Sequence, residues 1–205
     1  MIIKAKHNPL VVNFFNLYSK EKIRHNFHQV VIEGDIDISN HAVLLLSNHL
    51  SWWDGFWALY LNIRLFKKKF HFMMDEKELA KRWLFSYAGG FSVAPHNKSI
   101  LESIRYASEL LLDTNNLVLV YPQGKLYSSY CNDIRFMKGI NRINTTERTK
   151  VVFLVQFVDY FQHEKPTVFF YLKEADKEQF PEKDYEKQYQ HFYHNCLEKQ
   201  SKIII

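Results

Sequence analysis

Little in this chain marks it as secreted or membrane-spanning. Only two cysteines, Cys131 and Cys196, occur in 205 residues, which excludes a disulfide scaffold and reads as reduced thiols in a cytosolic setting. No run of about 18 apolar residues is present, which argues against a spanning helix. The opening Met1-Ile2-Ile3-Lys4 has too short an apolar stretch for a secretory signal. Six glycines in a chain that is 47% hydrophobic exclude a disordered, low-complexity polymer. Around Gly124-Lys125 the upstream glycine and the following Ser or Thr of a phosphate-cradling loop are missing, so that nucleotide site is excluded too. Any membrane contact is expected to be peripheral.

Aromatics and positive charge are plentiful. The chain holds 17 Phe, 12 Tyr and 4 Trp, and its net charge is +5. Tyr and Trp suit interfaces, including a bilayer surface. The charge favours an anionic partner. Nucleic acid fits poorly, because most aromatics sit in apolar runs that read as core and no binding motif is present. The length suits one domain with a sizeable core.

The pattern along the chain alternates strands and helices. Asn8 and Pro9 open a helix to residue 27, with Val11, Phe14, Phe15 and Tyr18 clustered on one side and Lys20, Lys22 and Arg24 nearby. That mixture fits either a helix lying in a membrane interface or one packed on the protein's own core. Strands are expected at 29–33, 42–46, 70–74, 91–93, 117–121, 151–160 and 167–172. Helices are expected from 56, from Asp75 through Leu84 until Gly89-Gly90 breaks it, from Ser99 (capped by Ser99-x-x-Glu102) through 112, and over 185–202. This is a single-domain α/β fold with a largely parallel, helix-flanked sheet. The last two strands, with no helix between them, predict an antiparallel edge. The run Arg64, Lys67, Lys68 and Lys69 reads as a solvated loop or as a landing patch for anionic headgroups or an acidic acyl carrier.

The chemistry concentrates in Ser47-Asn48-His49-Leu50-Ser51-Trp52-Trp53-Asp54-Gly55, just past the apolar run 42–46. Ligands of α/β sheets bind outside the carboxyl ends of the strands. Five residues along an unbroken helix would put His49 and Asp54 on different faces. A bend at Ser51 lets them meet, with Asp54 orienting the imidazole and one ring nitrogen free to take a proton. Ser51-x-x-Asp54 also reads as a capping box that needs nothing from His49. Trp52 and Trp53 read as core or pocket wall. His191, His194 and Cys196 would not share one helical face, and no metal site is expected.

Asn48-His49-x-x-x-x-Asp54 resembles the first motif of the glycerolipid acyltransferases, the superfamily that includes 1-acylglycerol-3-phosphate acyltransferase. Gly89-Gly90-Phe91-Ser92-Val93-Ala94-Pro95 stands where that family's second motif belongs. Tyr121-Pro122-Gln123-Gly124 is similar to the third, usually F-P-E-G-T-R, and is closer to an F-P-Q-G variant. Val155-Gln156-Phe157-Val158 with 166–170 resembles the fourth. The likeness spans about residues 29 to 172.

The resemblance implies a glycerol-3-phosphate acyltransferase-like fold and an O-acyltransferase with no cofactor. It would use acyl-CoA or acyl carrier protein as donor and a lipid as acceptor, such as a lysophospholipid or a glycolipid. His49 and Asp54 would be catalytic, and Asn48, Gln123, Gly124, Lys125, Lys98 and Arg135 would bind substrate, with backbone N–H groups around Gly124 facing the developing oxyanion. Residues 1–28 would form an amphipathic, membrane-docking segment and 29–205 the acyltransferase domain, cytoplasmic and peripheral on the inner face of the cell membrane. The chain departs from the pattern at Pro95, Gln123, Lys125 and Leu126, where the family carries Arg, Glu, Thr and Arg. Lys98, Lys125 or Arg135 would have to compensate, each as a point charge or a displaced fork. The same departures leave a non-catalytic lipid- or carrier-binding relative as the alternative.

Overall fold

The computed structural model describes residues 2–94, 99–176 and 184–205. Seven strands form one sheet: β1 (Gln29–Glu33), β2 (Ala42–Ser47), β3 (Lys69–Asp75), β4 (Gly90–Val93), β5 (Asn116–Val120), β6 (Thr149–Asp159) and β7 (Thr167–Glu174). Their order is β1-β7-β6-β2-β5-β3-β4, and every pairing is parallel except β6 with β7. The antiparallel pair lies one strand in from the edge, because β1 adds itself parallel to the outer side of β7.

β2 is central and fully buried. Ala42, Leu44 and Leu46 face one core, and Val43 and Leu45 the other. A parallel sheet needs cover on both faces. On the first face α5 (Ile100–Leu110) contributes Ile104 and Ala107, and α6 (Tyr185–Ser201) contributes Tyr185, Tyr189 and Tyr193. On the second, α1 (Pro9–Asn26) contributes Ile23, and α2 (Asp54–Leu61) contributes Trp57, Ala58 and Leu61. Asn8 caps α1 as its sequence predicts, accepting from the Leu10 and Val11 amides with Pro9 in the first turn.

Two local expectations change. The helix expected from Asp75 through 84 is two short ones, α3 (Glu76–Lys81) and α4 (Leu84–Tyr87), because Arg82 leaves helical geometry. The Ser99 side chain makes no cap hydrogen bond to α5. The basic cluster at 64–69 surrounds the start of β3, at the opposite end of the sheet from His49. Ahead of α1, Ile3 exchanges hydrogen bonds with Ser92 on edge strand β4, and the Lys6 and Asn8 amides donate to the Ser86 and Tyr87 carbonyls.

Candidate active site

The loop after β2 is fastened before its chemistry begins. Asn48 is fully buried and binds Gln156 on β6 through three contacts: Nδ2 donates to the Gln156 carbonyl (3.0 Å), Oδ1 accepts from the Gln156 amide (2.9 Å), and Gln156 Nε2 donates to the Asn48 carbonyl (2.9 Å). Tyr189 of α6 closes the back of this cluster by donating to the Leu154 carbonyl (2.8 Å). The backbone of His49 is gripped from the β5 side. Its N–H donates to Gln123 Oε1 (2.6 Å), and its carbonyl accepts from the Tyr127 amide (2.9 Å).

His49 Nδ1 lies 2.7 Å from Asp54 Oδ2. The same oxygen accepts from the Leu50 (2.6 Å) and Ser51 (3.0 Å) amides, and Oδ1 accepts from Ser51 Oγ (2.9 Å). Asp54 is wholly buried, and the imidazole keeps 27% of its side-chain surface exposed. With the carboxylate as acceptor, Nδ1 carries the proton and Nε2 holds the lone pair. Of the two sequence readings, the bend at Ser51 describes this stretch: α2 begins at Asp54 with Trp53 at its N-cap and no side-chain cap bond, and the Ser51–Asp54 contacts bring the chain round so that the carboxylate sits beside the ring.

One face of the imidazole is covered by Tyr121, with ring centroids 4.3 Å apart and planes 16° apart. Burial, followed by the neighbouring Asp54 carboxylate, pushes the Tyr121 phenol well above its usual range, so it stays neutral. Its buried hydroxyl has no hydrogen-bond partner among the described residues.

His49 and Tyr121 both line a cavity of about 460 Å³. Its walls are predominantly apolar: Phe56 and Leu59 of α2, Phe70 and Phe72 of β3, Phe85 of α4, Ile100 and Ile104 of α5, and Met137 and Ile140 from the loop before β6. Trp52 and Phe15 also line it, and Trp52 is 59% exposed, so it is a cavity wall and not core. The charged groups on the wall are Asp75, Glu78, Arg82, Lys125 and Lys138.

The expected substrate-binding residues divide. Gly124 and Lys125 line the cavity. Gly124 has φ +68°, and a Cβ there would stand 2.5 Å from Met137 Sδ, so the position favours glycine and any side chain would have to displace the Met137 thioether. Its own N–H is spent on the Tyr121 carbonyl (3.1 Å) and is not available to an oxyanion, whereas the Lys125 and Leu126 amides have no partner among the described residues. Gln123 is buried behind His49 and holds its backbone instead of lining the cavity. Asn48 likewise works through Gln156 and does not reach the cavity. Arg135 is exposed, paired with Asp133 at 2.7 Å and off the cavity wall; the Met137 N–H to Pro122 carbonyl bond (2.7 Å) turns Met137 and Lys138 inward and leaves Arg135 outside. Lys98 and Pro95 lie outside the described residues. Arg82, ion-paired with Glu78, and Lys138 are cavity cations that sequence spacing does not distinguish from their neighbours.

The sequence profile of the family described as Acyltransferase matches residues 15–154, more than two thirds of the chain. The chain belongs to the acyltransferase family. That span holds His49, Asp54, Tyr121 and Gly124, every residue the site has gathered around the imidazole apart from its supports on β6 and α6. Among solved structures, this O-acyltransferase is similar to the 1-acyl-sn-glycerophosphate (LPA) acyltransferase, PlsC, from Thermotoga maritima. The identity is 18% and the TM-score 0.57, over 92% of this chain and 78% of that one. At that identity the likeness speaks for the shared fold. No curated protein matches the acyltransferase.

Proposed function

We propose that this chain transfers a fatty acyl group from an acyl thioester to a hydroxyl of a polar lipid, with His49 as general base. The observation that carries the reading is the His49–Asp54 contact at 2.7 Å on the wall of a largely apolar cavity. Nε2 takes the hydroxyl proton as the oxygen attacks the thioester carbonyl. Asp54 holds the ring and stabilises the imidazolium that forms. The carbon–oxygen bond forms, the carbon–sulfur bond breaks, and the imidazolium proton passes to the departing thiolate. The unpartnered Lys125 and Leu126 amides are the donors we assign to the transient oxyanion.

The acceptor in this reading is a lysophospholipid or a glycolipid. Lys125 and Lys138 supply positive charge on the cavity wall, while Asp75 and Glu78 stand on the same wall, a mixture that suits hydroxyl groups as well as a phosphate. The enzyme would work on a bilayer's cytoplasmic face. Leu10, Phe14 and Leu17, one stripe of α1, are 80%, 59% and 62% exposed. Ring contacts run from Phe14 to Phe15 and Phe85, and through Tyr18 and Phe56 to Trp52, joining that stripe to the cavity mouth. No described helix is long and apolar enough to cross a membrane.

Incubation of the protein with labelled acyl-CoA or acyl carrier protein and a panel of lysolipids and glycolipids tests this. Turnover that His49→Ala abolishes is the expected result. Binding of the lipids with no turnover on any acceptor would establish the non-catalytic relative instead.

A further inference from the structure

We propose that Tyr121 is a positioning residue for the transfer, fixing the plane of the His49 imidazole; this rests on the assignment of His49 as the base. The hydrogen bond from Nδ1 to Asp54 sets the ring's torsion but, as one in-plane contact, leaves it able to rock about the Cβ–Cγ bond. A second contact, against the ring face, limits that rocking and aims Nε2. The phenol ring supplies it, lying flat against the imidazole at 4.3 Å and 16°. The two residues are also coupled through their backbones. Gln123, two positions beyond Tyr121, accepts the His49 N–H at 2.6 Å, so ring and main chain are registered against the same loop.

The stack acts in the transition state as well. The imidazole becomes a cation as it takes the proton, and an aromatic face beside a cation is attractive. Among the described residues Tyr121 is the aromatic ring in contact with the imidazole, and it adds to the stabilisation that the Asp54 carboxylate gives at Nδ1. The Tyr121 hydroxyl takes no part, since it is buried without a partner among the described residues. The ring is therefore the working part, and phenylalanine should replace it.

The test compares Tyr121→Phe with Tyr121→Leu under steady-state turnover, together with NMR of the His49 ring protons, identified by their loss in His49→Ala. In Tyr121→Phe, kcat should stay within about twofold of the parent. In Tyr121→Leu, kcat should fall about 10- to 100-fold, the scale of a small misplacement of a reacting group. KM for donor and acceptor should hold, and the His49 ring signals should move downfield as the stacked ring is lost. Unchanged kcat in Tyr121→Leu would overturn the proposal, as would equal losses in both variants, since the hydroxyl would then be the functional group. If Tyr121→Leu does not fold, Tyr121→Met is read by the same NMR and kcat criteria. Full turnover by His49→Ala would instead remove the base assignment beneath it, an outcome distinct from any result at Tyr121.

Discussion

Asn48 and Gln156 hold one another through three hydrogen bonds of 2.9–3.0 Å, carrying the pairing of β2 and β6 one residue past the end of β2. The residue next to His49 is thus part of the sheet's framework, and the imidazole inherits its rigidity.

Replacing Asn48 by Ala should therefore damage stability and catalysis together. It leaves the Gln156 amide and carbonyl buried without partners, at about 1–3 kcal/mol for each such group. Chemical denaturation should show a loss of about 2–4 kcal/mol, and kcat should fall in whatever folded fraction remains.

Asp54→Asn separates holding from charge. The asparagine oxygen can take the place of Oδ2, still accepting from the Leu50 and Ser51 amides and from Nδ1 while its NH₂ faces Ser51 Oγ, but the negative charge that stabilises the imidazolium is lost. Turnover should drop about 10²- to 10⁴-fold, while the thermal midpoint changes little by comparison.

Gly124→Ala should lower activity through sterics and backbone strain combined. The new methyl would overlap the Met137 thioether, and φ +68° disfavours any side chain. Adding Met137→Ala should recover part of the loss in an activity assay, the remainder measuring the backbone term.

Leu10→Ser, Phe14→Ser and Leu17→Ser together should abolish sedimentation with anionic lipid vesicles. The thermal midpoint should hold, since these side chains are exposed. Vesicle binding equal to the parent's would show that the stripe is not the docking face.

Acid should weaken the fold partly through His71. Burial, then the adjacent His7 (ring centroids 4.5 Å away), lowers its pKa from 6.5 to about 3. Below pH 6.5 the unfolded chain takes up a proton that the folded one refuses, so this stabilisation is present above about pH 6.5 and is lost as pH falls toward 3. His71→Phe should flatten that part of the stability–pH curve in denaturant titrations.

The parts legible from sequence are those governed by local pattern. The buried strand at 42–46, the Asn8-Pro9 helix start and the bend that lets His49 meet Asp54 all follow from neighbours within a few residues. The stack of Tyr121 on His49 joins positions 72 apart with no periodicity to announce it. Choosing Lys138 over Arg135 depends on the hydrogen bond between Met137 and Pro122, a tertiary event. The break at Arg82 was likewise invisible, because the residues around it are good helix formers and packing of Phe85 into the cavity wall overrides them.

The stitching of residues 3–8 to β4 and α4 has a mechanical result. It anchors the start of α1 to the same layer that builds the cleft, so the greasy helix is a fixed jamb and not a swinging door. Among the described residues the cavity's give then lies in its side chains and in the loops opposite, and shortening the chain's first eight residues would loosen the frame itself.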